Sequence, residues 1–459
     1  MTPSLKFISK LTRSLISPES LVVAGFAATI FLGAILLCLP WCGQSGTISF
    51  IDALFTSTSA VCVTGLTVLD TSKDFSFFGQ LVIAILIQTG GLGIMTFAAL
   101  TFQILGLRFS LQSSAVLHDT FFQKDIGSRF QDAFKTILSL TLAIEGVGMI
   151  FLALFFWPRL DGLGDIIFFS FFHSISAFCN AGFAIATDNL VVWRDSEGIL
   201  ITIMALIIAG GLGYSVLYEL FVRVCAKING DSFGKQIRLS LHSRVVLFVS
   251  ILLIVSGTLL IMVFGLTTDE RTLWEKFINA LFQSVSSRTA GFNSVDLGRV
   301  PHSSLLILVI LMFIGGSPGS CAGGVKTSSI AIYWARLVSG LRGAKEVRLH
   351  DRRLPLELVS RTDLLVTVAI IWNILGFLVL FSTESNLNVD SMALVFEQVS
   401  AFGTVGLSTG ITAKLSTPGK IWIILTMFIG RLGPLTMVML MIPKSTSNIS
   451  YPKGTVMIG

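Results

Sequence analysis

Four short segments of the chain carry a glycine in the same setting, and the backbone around that glycine could bind a cation. Glycine reaches left-handed backbone conformations without a Cβ clash, and a ring of carbonyl oxygens can replace the hydration shell of a monovalent cation. The two residues before each glycine and the residue after it carry no formal charge, which disfavours a divalent ion. The segments are CVTGL (62–66), CNAGF (179–183), RTAGF (288–292) and GTVGL (403–407).

We therefore predict a selectivity filter in which these segments surround one central pore. Its residues are three from each segment: Val63, Thr64, Gly65, Asn180, Ala181, Gly182, Thr289, Ala290, Gly291, Thr404, Val405 and Gly406.

A short apolar stretch precedes each glycine, at 51–62, 165–179, 272–287 and 390–402. These stretches are too short for a membrane crossing, which takes about 20 helical residues. We expect re-entrant helices that enter the membrane and turn back. The negative end of each helix dipole would then point at the centre and favour a cation.

A second glycine motif follows each segment, at 90–93, 210–213, 315–316 and 430–433. A single motif of this kind is typical of close helix packing. Two motifs that recur in register four times instead indicate an internal repeat. Each repeat is predicted to be an outer helix, a re-entrant helix with its filter segment, and an inner helix.

The composition indicates an integral membrane protein. The chain is 53% hydrophobic and 13% charged, with a mean hydropathy of +0.84, whereas soluble domains carry about 25% charged residues. We predict an all-α fold of eight transmembrane helices and four re-entrant pore helices around a pseudo-fourfold pore. The eight spans are expected at 21–39, 80–100, 136–157, 199–220, 245–265, 305–331, 364–381 and 421–441.

Lysine and arginine concentrate on one side of this topology, which places both termini in the cytoplasm. The first span is too long for a signal peptide and has no small-residue cleavage site. The predicted divisions are the N-terminus 1–19, repeat 1 at 20–107, a cytoplasmic loop at 108–134, repeat 2 at 135–222, a loop at 223–243, repeat 3 at 244–335, a loop at 336–361, repeat 4 at 362–442 and the C-terminus 443–459.

The third inner helix contains a stretch unlike its siblings. Glycine, proline and small residues fill 315–324, and proline removes a backbone donor, so the helix should break into a mobile loop beneath the filter. Two cations flank this loop and complete the predicted gate. Its residues are Gly315, Gly316, Ser317, Pro318, Gly319, Ser320, Cys321, Ala322, Gly323, Gly324, Lys326 and Arg431.

Each intramembrane charge has a second interpretation. Arg431 is predicted to be an electrostatic barrier in the pore, or else the partner of an acid elsewhere. Lys326 could extend toward the cytoplasmic surface. Glu145 and Asn373 are expected to form hydrogen bonds between helices.

The third cytoplasmic loop is strongly basic and could contact anionic lipid headgroups or a cytosolic partner. Its basic residues are Arg336, Arg342, Lys345, Arg348, Arg352, Arg353 and Arg361.

These motifs resemble the Trk/Ktr/HKT superfamily of potassium transporters, and within it the KtrB-type membrane subunits. The resemblance covers nearly the whole chain. It depends on the four glycines, on the segment at 70–95, on GGSPGSCAGGVKTSS (315–329) and on FIGRLGPLT (428–436), whose arginine matches the family's pore arginine.

The resemblance implies uptake of K+ through the filter, with no covalently bound cofactor. It also implies a homodimer in the cell membrane and a cytosolic nucleotide-binding regulatory subunit of the RCK type. Sodium-selective plant relatives carry serine in the first filter position, so the four glycines favour potassium. The alternative is a sodium-coupled or sodium-selective carrier on the same scaffold, in which Na+ is a coupling or regulatory ion.

The sequence does not indicate an enzyme, a zinc site or a disulfide framework. The five histidines, His118, His173, His242, His302 and His350, fit no HExxH or serine–histidine template, and we interpret His173 as a packing residue. The six cysteines form no CxxC pair, so apolar packing is their expected role.

Overall fold

The protein folds almost entirely into helices. The structure, a computed structural model, describes residues 18–44, 46–93, 130–228, 239–266, 272–344, 346–387 and 389–433. Within those ranges lie fourteen α-helices: α1 Pro18–Leu37, α2 Phe50–Val61, α3 Phe77–Gly91, α4 Phe130–Phe156, α5 Leu163–Phe178, α6 Glu197–Leu212, α7 Tyr214–Ile228, α8 Leu241–Phe264, α9 Leu273–Ser286, α10 His302–Phe313, α11 Thr327–Leu341, α12 Leu356–Thr383, α13 Ser391–Gly403 and α14 Thr417–Leu432.

The helices repeat in groups of three along the chain. Helices α1, α4, α8 and α12 are the outer helices, α2, α5, α9 and α13 are the short central helices, and α3, α6, α10 and α14 are the inner helices. Each of the four predicted re-entrant segments corresponds to one short central helix. Local sequence starts three of these helices: Ser49, Thr272 and Asp390 are N-cap residues whose side chains accept backbone N–H groups of the first turn.

The packing of these groups closes a ring. Each outer helix packs on the central helix of its own group. Each inner helix packs on the central helix of the next group: α3 on α5, α6 on α9, and α10 on α13. Finally α14, from the fourth group, packs on α2 of the first. The four groups therefore surround a common centre.

Burial follows this arrangement. The C-terminal halves of the four central helices are buried, as are the filter segments that follow them. The outer helices expose large apolar side chains on the periphery, where hydrocarbon would be their solvent. Examples on α8 are Phe248, Ile251, Leu252, Val255, Leu259 and Val263.

Three helical segments in the described residues are long and apolar enough to cross a membrane: Lys135–Phe156, Leu241–Phe264 and Leu356–Thr383. A fourth crossing exists if α6 and α7 are taken together, although that pair is bent by 109°. The all-helical prediction is confirmed, while the finer prediction of eight spans with four re-entrant helices stays a prediction. The predicted spans 80–100 and 421–441 run past the described residues.

The prediction of one continuous helix over 199–220 is wrong. Helix α6 ends at Leu212, and Gly213 turns the chain into α7 with a φ of +89°. Helices α3 and α14 likewise end at the second glycine motif, at Gly91 and Leu432. Gly93 and Gly433, which follow these two helix ends, also have left-handed φ values, of +86° and +88°. Within the described residues, the third inner helix therefore differs from the others in its long loop at 315–324.

The predicted break at 315–324 is present, because α10 ends at Phe313 and the helix resumes as α11 at Thr327. Helix α11 extends into the predicted loop 336–361, where a two-stranded hairpin follows, with β1 at Arg348–Leu349 and β2 at Arg352–Arg353. The predicted termini 1–19 and 443–459, the loop 108–134 and Lys345 lie wholly or almost wholly outside the described residues.

Candidate functional site

The four filter glycines meet at the centre of the ring. A Cβ added to any one of them would lie less than 3.0 Å from a backbone carbonyl oxygen of the neighbouring segment. The contacts run once around the ring and close on themselves: Gly65 to Ala181, Gly182 to Ala290, Gly291 to Val405, and Gly406 to Thr64. A larger residue at any of these four positions requires the backbone to shift, so the predicted filter segments do come together.

Two positions in every segment have left-handed backbone geometry. The glycines have φ values of +92°, +69°, +76° and +93° in chain order. The residue two positions before each glycine also has a positive φ: Val63 at 56°, Asn180 at 59°, Thr289 at 70° and Thr404 at 49°. Such geometry is a genuine outlier for β-branched residues and costs of order 1–3 kcal/mol each. The surrounding fold therefore holds the segments in one conformation.

Buried serines near the ends of the central helices fix the segments in place. Their carbonyl oxygens accept hydrogen bonds of 2.7 to 2.9 Å from filter N–H groups in all four repeats. Their hydroxyls also bind the segment: two accept from the glycines Gly65 and Gly406, and two donate to carbonyls just past the other glycines. These residues, which sequence reasoning missed, are Ser59, Ser176, Ser286 and Ser400.

Three filter threonines, Thr64, Thr289 and Thr404, have buried hydroxyls without a protein partner among the described residues. Unpartnered hydroxyls suit a lining that meets a partly hydrated ion. The Asn180 amide lies differently: once it is assigned so that its nitrogen donates, that nitrogen is 3.1 to 3.3 Å from the carbonyl oxygens of Ala177, Phe178 and Ile207. Its side chain therefore supports the helix end, and Asn180 can serve the filter only through its backbone.

A second buried polar layer lies in the central helices, three residues before each anchoring serine. It consists of Thr56, His173, Gln283 and Glu397. Glu397 is fully buried and accepts a hydrogen bond from Thr412, which joins the fourth central helix to the segment that follows the filter. The sequence signal for this layer is a polar residue inside a short apolar helix, and it is visible only after the serines are aligned.

The loop between α10 and α11 lies directly beneath the filter. A Cβ at Gly323 would collide with the side chain of Thr404, and one at Gly324 would lie 3.3 Å from Gly403. Backbone hydrogen bonds attach the loop to the second inner helix: Ser317 and Cys321 donate to the carbonyls of Gly211 and Gly210 at 3.1 and 3.2 Å. The predicted gate segment is therefore in contact with the filter.

Arg431 is buried in the same layer and donates to the carbonyl oxygens of Cys321 and Gly90. It thus joins the loop to the end of α3. Arg431 does not pair with an acid among the described residues, which was the alternative prediction for it. Lys326 points back to its own loop, where Nζ lies 2.5 Å from the Ala322 carbonyl, and does not extend to the surface.

The hydrogen bonds between helices that were predicted for Glu145 and Asn373 differ in outcome. The amide nitrogen of Gln88 on α3 donates to Glu145 on α4 at 3.2 Å, as expected for a bond between helices. Asn373 instead donates to Ala369 one turn back in its own helix at 2.8 Å, so that prediction is wrong. His173 is fully buried among Phe156, Phe169 and other rings, which confirms its packing role.

Several basic residues in and beside the segment 336–361, the predicted third cytoplasmic loop, are paired with acids. Arg348 and Arg353 both contact Glu346, at 3.3 and 3.0 Å, and Arg361 contacts Glu357 at 2.7 Å. Arg336 pairs with Asp363. These arginines remain half to three-quarters exposed, so the segment keeps a positively charged surface.

Comparison with known proteins gives one consistent result. The family model TrkH, described as cation transport protein, matches residues 9–451. The potassium/sodium uptake protein NtpJ of Enterococcus hirae is 35% identical, over 99% of this chain and 100% of that protein. The Ktr system potassium uptake protein B of Bacillus subtilis is 36% identical, over 96% of this chain and 97% of that protein.

A solved structure shares the fold. The crystal structure of the potassium transporter TrkH from Vibrio parahaemolyticus aligns with a TM-score of 0.71. The alignment covers 94% of this chain and 86% of that chain at 21% sequence identity.

Proposed function

Because this chain belongs to the TrkH family of cation transport proteins, we propose that it takes up potassium across the cell membrane through the central ring. The observation that carries the proposal is the closed circuit of contacts among Gly65, Gly182, Gly291 and Gly406. Two relatives at 35% and 36% identity are named as potassium/sodium and potassium uptake proteins, which supports the choice of ion.

In this proposal the ion binds to backbone carbonyl oxygens. The residue before each glycine supplies a carbonyl at the ring: Thr64, Ala181, Ala290 and Val405. Carbonyls that replace the hydration shell select among monovalent cations by their number, field strength and spacing. The left-handed residues and the serine anchors resist collapse of the ring around a smaller ion.

The loop at 315–324, with Lys326, acts as the gate in this proposal. It contacts Thr404 from below, so an ion that leaves the filter inward must displace it. Arg431 holds the loop to α3 and adds a positive charge on the inward path. A buried guanidinium repels a cation most strongly where water is scarce, so the closed loop and the charge act together.

Regulation is proposed to come from the cytoplasmic side. In this view the protein is a multi-pass homodimer with both termini in the cytoplasm, and an RCK-type nucleotide-binding subunit docks on the inner face. The exposed arginines of the third cytoplasmic segment support an acidic partner surface. Binding of the purified regulatory subunit should weaken with salt and with charge reversal at Arg348 and Arg352; salt-insensitive binding would point to another surface.

The experiment that tests the function is reconstitution in liposomes with separate measurement of K+ and Na+ uptake. Each filter glycine is changed to serine in turn. We expect K+ uptake in the unchanged protein and a loss of K+ over Na+ discrimination in the variants, with Gly65→Ser nearest to a sodium carrier. If none of the four changes shifts selectivity, the filter assignment is wrong. Equal uptake of both ions by the unchanged protein would favour the sodium-coupled or sodium-selective alternative.

A further inference from the structure

One filter glycine has a bond that its three counterparts lack. The side-chain nitrogen Nδ2 of Asn189 donates to the carbonyl oxygen of Gly182 at 3.2 Å. Among the described residues, the carbonyls of Gly65, Gly291 and Gly406 accept no hydrogen bond from any side chain. The carbonyls of the four filter glycines are therefore chemically uneven, because that of Gly182 already accepts a hydrogen bond from a protein side chain.

The backbone that carries the Asn189 side chain is held in place by hydrogen bonds on both sides. Asn189 has a φ of 55°, in the left-handed region where asparagine is enriched. On one side the Thr187 hydroxyl lies 3.2 Å from that of Ser72 in the first repeat. On the other side the Leu190 N–H donates to the Asn293 carbonyl of the third repeat at 3.2 Å. The loop thus bridges three repeats across the outer mouth.

The matching positions of the other repeats cannot make this bond. Seven residues after the filter glycine, where the second repeat has Asn189, the others have Ser72, Gly298 and Ala413. Glycine and alanine have no side-chain donor, and the Ser72 hydroxyl interacts with Asp70 and Thr187. The difference between the glycine carbonyls therefore follows from the sequence of the second repeat, which alone has asparagine at this position.

We infer that Asn189 is a specificity-determining residue of the pore, which restrains the Gly182 carbonyl and so favours K+ over the smaller Na+. A carbonyl oxygen that already accepts an N–H attracts a cation less strongly, because the positively polarised hydrogen lies beside the same oxygen. It is also held in place, whereas coordination of Na+ requires the carbonyls to move inward. Discrimination in a carbonyl filter depends on both properties. This inference rests on the proposed potassium function and names a residue outside the filter segments.

The test uses two substitutions with a matched control in reconstituted full-length protein. Asn189→Gly removes the amide and tolerates the left-handed backbone; Asn189→Asp keeps the size but has no N–H to donate. The control is Asn293→Ala, whose side chain donates at 3.0 Å to Val295, a carbonyl outside the filter. The KM values for K+ and Na+ are measured separately, together with the maximal rate of K+ uptake.

We expect both Asn189 variants to lower the ratio of the Na+ KM to the K+ KM by roughly threefold to tenfold, the size expected for one hydrogen bond. The maximal K+ rate should change little, and Asn293→Ala should match the unchanged protein. An unaltered ratio in both Asn189 variants overturns the inference, as does an equal shift in Asn293→Ala, since that would report general loosening of the mouth. If the unchanged protein does not prefer K+, the proposed function itself has failed.

Discussion

The filter ring and the layer beneath it are built in different ways. The ring repeats the same four elements around its circumference: a left-handed residue, a carbonyl, a glycine and a buried serine. In the lower layer the described inner helices end at the same glycine motif, but only the third repeat continues into a long loop that ends at a lysine, and only the fourth has an arginine at the second glycine position. A rigid, symmetric ring suits a site that must discriminate between ions of different size. An asymmetric layer suits a loop that must move.

The contacts of the two layers agree with that division. In the ring, substitution of a glycine would force a Cβ against backbone, which cannot give way. In the lower layer, Arg431 and Lys326 donate to single carbonyl oxygens of the loop. Such bonds can be exchanged for bonds to water, which is what the proposed gate requires if it is to open while the ring keeps its shape.

The largest expected effect comes from breaking the ring. Gly406→Ala should lower K+ uptake by roughly tenfold or more, because the added Cβ meets the Thr64 carbonyl and the left-handed backbone costs a further 1–2 kcal/mol or so. The matched control is Gly410→Ala, which has a similar φ of +88° but nothing within 4 Å of the added Cβ. Equal losses in liposome uptake for the two variants would mean that backbone strain, and not the closed ring, sets the activity.

The next effect tests the movable layer. Arg431→Gln removes the charge and at least one hydrogen bond to the loop, so basal K+ flux without a regulatory subunit should rise by roughly tenfold. Selectivity should stay the same, because the ring is untouched. Arg431→Lys retains the charge, so its basal K+ flux should lie between those of the unchanged protein and Arg431→Gln. Flux that is unchanged, or a loss of selectivity with normal flux, would contradict the separation of the two layers.

A smaller effect is expected at the serine anchors. Ser400→Ala removes the acceptor for the Gly406 N–H and should reduce the K+ affinity by roughly threefold, within the range for one hydrogen bond. Ser391→Ala, at the exposed start of the same helix, serves as the control for helix propensity. Matching KM values in the two variants would show that the ring does not depend on its anchors.

The smallest effect is expected at the outer contact between the fourth and first repeats. Lys420 and Asp52 form an ion pair of 2.7 Å and are each about one-fifth exposed. Lys420→Met should lower the free energy of unfolding by up to about 1 kcal/mol, with K+ uptake preserved. The Arg299–Asp296 pair is much more exposed, so Arg299→Met should cost less. Thermal unfolding in detergent measures the stability of both variants. A larger loss of stability in Arg299→Met than in Lys420→Met would contradict the expectation that the more buried ion pair contributes more.

Much of the upper layer could be predicted from the sequence, because a fourfold repeat supplies its own internal comparison. The glycine segments, the short helices before them and the break at 315–324 all occur where the residue pattern indicates. The family resemblance is confirmed, and with it the prediction that the chain is a transporter and not an enzyme.

What could not be predicted depends on backbone geometry and on contacts that the residue pattern does not mark. The bend at Gly213 arises from a GGLG motif that also occurs at 90–93, and a motif read alone does not give a bend angle. Arg431 finds its partners in backbone carbonyls, which have no sequence signature. Asn373 turns to its own helix because a helical carbonyl one turn back is always within reach. The Asn189 bond requires three repeats to be in place at once.

The packing of α14 on α2 has a consequence for how the protein is made. Translation delivers the first repeat hundreds of residues before the last, yet the central helix of the first repeat has no neighbour on one side until α14 arrives. Contacts of such large sequence separation form late and slowly. The residue that fastens the loop, Arg431, is delivered in the same final helix. In the proposed function, a nascent chain therefore acquires its pore and the closure of that pore in a single late step, and no earlier stage of synthesis has a complete conduit.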